Sequence, residues 1–179
     1  MTPLPDPVPG APVHLVVMGV SGCGKSTIAR ALHERLGWEY AEGDSYHPQA
    51  NIDKMAGGRP LVDEDRWPWL RILADWTAER DARGEPTILA CSALRRAYRE
   101  MLREGGAGTY FVHMHGDKGL LLERMESREH FMPPTLLESQ LDTLEMLAPD
   151  ERGIVVDIAN PVERAVRMVM AQLDLDLTG

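Results

Sequence analysis

Gly19-Val20-Ser21-Gly22-Cys23-Gly24-Lys25-Ser26 reads G-x-x-x-x-G-K-S, the spacing of a phosphate-binding loop. Glycines at 19, 22 and 24 let the backbone turn tightly and approach a polyphosphate closely. Successive N–H groups and a helix N-terminus then face the anion. Lys25 brings a point charge to the β- and γ-phosphates, and the Ser26 hydroxyl suits Mg²⁺. Gly19 through Thr27 is therefore expected to hold the donor, ATP with Mg²⁺. The apolar stretch His14 to Met18 before the motif, and Ile28, Leu32 and Leu36 after it, supply the strand–loop–helix context it requires. The competing reading is a plain glycine turn between a strand and a helix.

The loop does not say which group receives the phosphate. A switch GTPase would carry an N-K-x-D base-reading motif, which is absent. A large ATPase would end its third strand in acids, whereas that strand here ends Ala90-Cys91-Ser92. A kinase of a small alcohol needs a carboxylate that orients the hydroxyl and takes its proton. Asp44 suits that role, at the end of a strand expected next to the phosphate-loop strand; a turn or helix-capping acid is the competing reading. Such a kinase also needs cations that close over the transferring group and exclude water. Arg124 and Arg128 share a helix face and precede the Pro-rich break His130-Phe131-Met132-Pro133-Pro134, a lid-like segment. A solvated surface pair is the alternative for these two arginines.

Behind these residues lies an alternating pattern. Strands are expected at His14–Met18, Trp38–Asp44, Thr87–Cys91, Thr109–Met114 and Gly153–Ile158. Helices are expected after the phosphate loop, around Ala50–Met55, from the acids at 63–65 toward Arg83, over Ala93–Arg103 with Ser92 as its cap, from Lys118, from Thr135, and from an Asn160-Pro161 cap. Alternation of this kind predicts an α/β fold: a five-stranded parallel sheet with helices on both faces, in three layers. Ligands in such sheets bind beyond the carboxyl ends of the strands. That rule gathers Gly19–Ser26, Asp44, Cys91-Ser92 and the loop after Ile158 at one rim. Residues 13–179 read as a single domain, and residues 1–12, with five prolines, as a disordered or polyproline-like tail. His14 and His113 are expected to be structural, and Trp67, Trp69 and Trp76 to belong to the core.

The chain has 179 residues, a net charge of −9 and two cysteines, Cys23 and Cys91. An acidic balance argues against a nucleic-acid binder, and two cysteines make no disulfide framework. No signal peptide or bilayer-spanning apolar run is evident, so a cytoplasmic location without membrane partners is expected.

Further blocks carry a family resemblance. Gly43-Asp44-Ser45-Tyr46-His47-Pro48 with Asn51 and Lys54-Met55 resembles the acceptor-site signature of gluconokinases. So does Gly58-Arg59-Pro60-Leu61 with Asp63, Asp65-Arg66 and Pro68-Trp69-Leu70. Cys91-Ser92-Ala93-Leu94-Arg95 with Tyr98-Arg99 is similar to a second signature, and His130 to Pro133 with Leu136-Leu137 and Ser139-Gln140 to the family's lid. The resemblance implies ATP-dependent phosphorylation of D-gluconate at its 6-hydroxyl. It also implies a P-loop fold like that of nucleoside-monophosphate kinases, a lid over about 124–138, Mg²⁺ and a homodimer. Lys25, Asp44, Arg124 and Arg128 would then be catalytic. Asp44, His47, Lys54, Arg59, Asp65, Arg66, Ser92, Arg95, Tyr98, Arg99 and His130 would contact the acceptor. A polyol acid needs both hydrogen-bonding groups and a cation, and this set contains both. A related kinase of shikimate, a nucleoside monophosphate or another sugar acid remains the alternative enzyme. A nucleotide-binding regulator without transfer activity is the alternative of a different class.

Overall fold

Each strand expected from the sequence forms. In the computed structural model they are β1 His14–Met18, β2 Glu39–Glu42, β3 Thr87–Ala90, β4 Thr109–His115 and β5 Gly153–Asp157. The helices are α1 Lys25–Leu36, α2 Gln49–Ala56, α3 Asp63–Asp81, α4 Arg96–Arg103, α5 Lys118–Glu126, α6 Thr135–Thr143 and α7 Val162–Gln172. The structure describes residues 10–126 and 135–173. Most of the Pro-rich tail and the centre of the expected lid, with Arg128 and His130, lie outside the described residues.

All strands pair in parallel, in the order β2-β3-β1-β4-β5. One expectation changes here: β2 does not neighbour β1, because β3 lies between them. Both still end at the same rim, so Asp44 faces the phosphate loop across the end of β3. Adjacent β1 and β3 send their onward connections to opposite sides, β1 toward β2 and β3 toward β4, and at such a switch point α/β sheets open a ligand crevice. The Gly19 N–H donates to the Ser92 carbonyl across that boundary, at 3.2 Å.

The strands are buried on both faces, which explains their near-continuous apolar runs. Leu15, Val17, Ile88, Ala90 and Val112 pack against α1 and α7 through Ile28, Leu32, Val166 and Val169. Val16, Met18, Leu89 and Phe111 pack on the opposite face against Trp69, Leu70 and Leu73 of α3 and Leu102 of α4. Trp69 is core, as expected, whereas Trp67 and Trp76 are only partly buried against the same cluster. His14 is structural: its ring nitrogens lie 2.8 Å from Thr87 Oγ1 and 2.8 Å from Asp81 Oδ1, tying β1 to β3 and to the end of α3.

Two helix starts differ from the sequence reading. Ala93 takes a left-handed φ of 46°, so Ser92 to Arg95 is a loop and α4 begins at Arg96. At α7 the cap position is Pro161, and the Asn160 side chain turns back to donate to the Asp157 carbonyl.

Candidate active site

The phosphate loop closes β1 onto α1 through backbone that only glycine fits well. Gly19 has φ 144°, and a Cβ there would lie 2.6 Å from both Cys23 Sγ and the Met114 carbonyl. Gly22 has φ 84°, and its Cβ would lie 2.9 Å from the Leu121 carbonyl. Gly24 precedes the first turn of α1, so Lys25, Ser26 and Thr27 present N–H groups without intrahelical partners. Burial opposes the charge on Lys25, but neighbouring Cys23, Asp44 and Glu42 outweigh it and hold its pKa above the ordinary lysine value. Lys25 therefore stays a cation.

Glu42, the last residue of β2, accepts a hydrogen bond from Ser26 Oγ at 2.7 Å and another from Tyr40 Oη at 2.5 Å, both at Oε2. Burial, and then the Glu42 carboxylate, push the Tyr40 phenol up to about 12, so it stays a donor. Glu42 escaped the sequence reading, which sought an acid at the end of β3. Its signal was there: an acid at a strand end two residues before Asp44.

Asp44 sits in a single 3-10 turn, Gly43–Tyr46, just after β2. Gly43 fits because a Cβ would lie 2.5 Å from the Ala90 carbonyl, and Trp69 Nε1 donates to the Gly43 carbonyl at 2.8 Å. That leaves the Asp44 side chain 54% exposed at the cleft wall. The buried His47 ring stacks on Trp69 with centroids 4.0 Å apart. Burial lowers its pKa, Asp44 pulls the other way, and Arg66 adds to the lowering. His47 is thus neutral near pH 7. Asn51 Nδ2 lies 3.2 Å from its Nδ1, which leaves the proton on Nε2, 3.8 Å from Asp44.

Ser21, Lys25, Asp44, His47, Arg66 and Ser92 line one cleft, as the sequence reading expected of a shared rim. Arg66 brings a cation to the cleft lining. It donates to the Tyr98 hydroxyl at 2.8 Å, and Tyr98 in turn donates to Asp63. Tyr98 is itself 2% exposed, so it orients Arg66 rather than lining the cleft.

Other expected contacts are placed elsewhere. Lys54 Nζ lies 2.7 Å from Asp65 Oδ2, and that same oxygen accepts the Val62 N–H at 2.9 Å. The pair caps α3 and braces α2 against it; the Lys54 hydrogen bond holds the Asp65 carboxyl below its usual range. Arg59 is exposed on the turn after α2. Arg95 is 44% exposed beside Asp63, at 3.6 Å. Arg99 needs outright correction: it is 0% exposed and forked onto Glu151 at 2.7 and 3.0 Å, with further bonds to the Ala93 and Leu94 carbonyls. It is a core residue holding the 93–95 loop. Arg124 donates to the Ile158 carbonyl at 2.7 Å, joining α5 to the loop after β5. From α6, Leu136, Ser139 and Gln140 reach the cleft wall, and Gln140 Oε1 accepts the Ser21 N–H at 2.7 Å.

A family model described as an AAA domain matches residues 15–147. A gluconokinase of Gluconobacter oxydans is 52% identical over 146 residues, 81% of this chain and 82% of that protein. Among solved structures, a sugar kinase from Janibacter sp. HTCC2649 superposes with a TM-score of 0.88 at 50% identity, over 92% of this chain and 95% of that one. A gluconokinase from Sinorhizobium meliloti gives a TM-score of 0.81 at 47% identity, over 91% and 92%. The family match thus spans the phosphate loop and every residue lining the cleft.

Proposed function

The chain belongs to the gluconokinase family of P-loop kinases, and on that premise we propose that it transfers the γ-phosphoryl group of ATP to the 6-hydroxyl of D-gluconate. The observation that carries this reading is the single cleft in which Lys25 of the donor loop faces Asp44, with Arg66 and His47 alongside.

The chemistry follows from that placement. Asp44 accepts a hydrogen bond from the 6-hydroxyl and takes its proton as the oxygen attacks the γ-phosphorus. The new O–P bond forms in line with the breaking bond to the β,γ-bridging oxygen, and ADP leaves. Lys25 and the N–H groups at the start of α1 hold the equatorial and bridging oxygens as charge moves onto them. His47, neutral and oriented by Asn51, presents Nε2–H toward Asp44 and the acceptor. Arg66, fixed by Tyr98, is the cation for the gluconate carboxylate. Arg124 and Arg128 close the donor side in this reading, with His130 on the acceptor. The expected homodimer and cytoplasmic setting belong to the same proposal; no helix among the described residues is long and apolar enough to cross a membrane.

The oxygens around Ser26 fit Mg²⁺. A hard cation takes hydroxyl, carboxylate and phosphate oxygens and keeps several waters, and Ser26 and Glu42 supply such groups 2.7 Å apart. Ser26, with Glu42 beside it, would hold the ion, and phosphate oxygens of the nucleotide would supply further ligands. Bound there, Mg²⁺ would neutralise charge on the β- and γ-phosphates.

The test is ADP release with purified protein, ATP and Mg²⁺ across D-gluconate, shikimate, nucleoside monophosphates and other sugar acids. Gluconate is expected to be the preferred acceptor by kcat/KM. Strong turnover of another acceptor without gluconate turnover would overturn the reading, and ATP binding with no transfer would favour a regulator.

A further inference from the structure

Arg66 is held from behind by an acid to which the mechanism above gives no role. Asp63 is the first residue of α3, and Arg66 lies one turn further along, on the same helix face. Tyr98, from α4, joins them. Arg66 Nη1 donates to the Tyr98 hydroxyl at 2.8 Å, and that hydroxyl donates its own proton to Asp63 Oδ1. The Arg66 guanidinium also lies over the Tyr98 ring, its carbon 5.2 Å from the centroid, while Trp67 packs edge-on against the same ring at 5.5 Å. Arg66 reaches the cleft lining; Asp63 stands behind it, its Oδ1 4.0 Å from Arg66 Nη1.

The direction of these bonds follows from the protons available. A phenol has one proton and two lone pairs, an ionised carboxylate only accepts, and a guanidinium only donates. Asp63 therefore takes the Tyr98 proton and turns the lone pairs of Tyr98 toward Arg66. Burial raises the Tyr98 pKa and the Asp63 hydrogen bond raises it further, against the pull of Arg66, so the phenol keeps its proton. Bonds linked in this way polarise one another. The second carboxylate oxygen, Asp63 Oδ2, lies 3.6 Å from Arg95 Nη1. One acid thus sits between two guanidiniums from different elements, α3 and the loop before α4, and offsets their repulsion. An acid in the first turn of a helix also suits the helix dipole, and the exposed Glu64 beside it does so too. The dipole does not account for a buried tyrosine and two arginines converging on Asp63.

We propose that Asp63 is a positioning residue for the acceptor: through the Tyr98 hydroxyl it holds the Arg66 guanidinium at the cleft, and so sets the preference for an acid over its neutral analogue. This rests on the reading of Arg66 as the partner of the gluconate carboxylate. Asp63 acts through Arg66 rather than on the substrate. A guanidinium already fixed in place loses less freedom when the carboxylate arrives, so the benefit falls on binding. It belongs to ground state and transition state alike, and is read in KM rather than in kcat.

The experiment compares wild type, Asp63→Asn, Tyr98→Phe and Glu64→Gln on D-gluconate and on D-gluconamide, which keeps the hydroxyl chain and replaces the carboxylate with a neutral amide. Asp63→Asn and Tyr98→Phe are expected to raise the KM for gluconate by about 3–30-fold, the scale of coupling within one hydrogen-bond network. Their kcat and their KM for ATP stay within about twofold of wild type. Their kcat/KM for gluconamide stays near the wild-type value, so the preference for the acid shrinks. Glu64→Gln, which alters the helix dipole alone, is expected to keep wild-type kinetics whatever it costs in thermal unfolding. The Asp63 side chain is 37% exposed, so Asp63→Asn carries the test if Tyr98→Phe fails to fold. An unchanged KM for gluconate in Asp63→Asn, or an equal loss on gluconate and gluconamide, would overturn the inference and leave Asp63 as an acid at a helix start. The wild type is measured first. Absence of gluconate turnover defeats the function reading, and turnover without preference over gluconamide defeats the role of Arg66; a wild-type preference that Asp63→Asn leaves intact defeats only the role of Asp63.

Discussion

The Ser26 hydroxyl donates to the Glu42 carboxylate at 2.7 Å, joining the first turn of α1 to the end of β2 across the sheet rim. This bond puts an acid beside the hydroxyl proposed to meet Mg²⁺, in a chain whose third strand ends without one. Glu42→Gln keeps the shape and removes the charge. It is expected to raise the Mg²⁺ concentration needed for half-maximal rate by about 10–100-fold, the usual scale for a group supporting a metal ligand. A Mg²⁺ titration at saturating ATP checks this; an unchanged midpoint would remove Glu42 from the metal site.

Asp44 is held at the cleft by a turn that leaves its carboxylate exposed, so its replacement should not disturb the fold. Asp44→Asn is expected to lower kcat by about 10²–10⁴-fold, the scale of a lost general base. Thermal unfolding should be unchanged, and the KM for ATP nearly so. Near-normal kcat would take Asp44 out of the mechanism.

Arg99 and Glu151 are both 0% exposed in their side chains, and their pairing is the buried ion pair of the α3–α4 side. Burial pushes the Glu151 carboxyl up, but the Arg99 hydrogen bonds and the Ala148 N–H outweigh it and hold it below its usual range. Removing one partner strands a buried charge. Arg99→Met is expected to cost about 3–5 kcal/mol in urea unfolding, and the double change with Glu151→Leu to recover most of it. A raised KM for gluconate at unchanged stability would return Arg99 to the acceptor site.

His113 is 0% exposed, and neither ring nitrogen has a hydrogen-bond partner among the described residues. Burial, with smaller contributions from His115 and Arg99, pushes its pKa down to about 4. An unfolded histidine titrates near 6.5, so between those values the unfolded chain binds more protons. The contribution is complete above about pH 6.5 and is lost as pH falls toward 4, amounting to about 3 kcal/mol. His113→Leu removes the titrating ring and its unpaired nitrogens. Unfolding midpoints of the two proteins should converge or cross in favour of the variant on acidification from pH 7 to 4.5; a constant difference would exclude His113 as a source of acid sensitivity.

What could be read from the sequence was local. The phosphate loop, its flanking strand and helix, and Asp44 at a strand end depend on spacing over a few residues, and each formed. Long-range partners were not legible. Arg99 looks like any helix arginine until Glu151, 52 residues away, is brought beside it. Gln140 reaches Ser21 across 119 residues. Lys54 and Asp65 carry the residue types of a ligand set, but their pairing with each other and the capping of α3 by Asp65 are not visible in the sequence. Ser92 had the chemistry of a cap, yet the left-handed Ala93 delays α4 and turns Ser92 to the cleft instead. The order of β2 and β3 is a matter of sheet packing that alternation alone does not decide.

The central claim is transfer to the primary hydroxyl of gluconate, and the product tests it most directly. Purified protein is incubated with ATP, Mg²⁺ and D-gluconate, and the phosphate ester is followed by phosphorus NMR without proton decoupling. Transfer to the 6-hydroxyl predicts a triplet, because the ester phosphorus then couples to the two protons of a CH₂ group. A doublet would place the phosphate on a secondary hydroxyl and contradict the role given to Asp44; no gluconate ester at all would contradict the account.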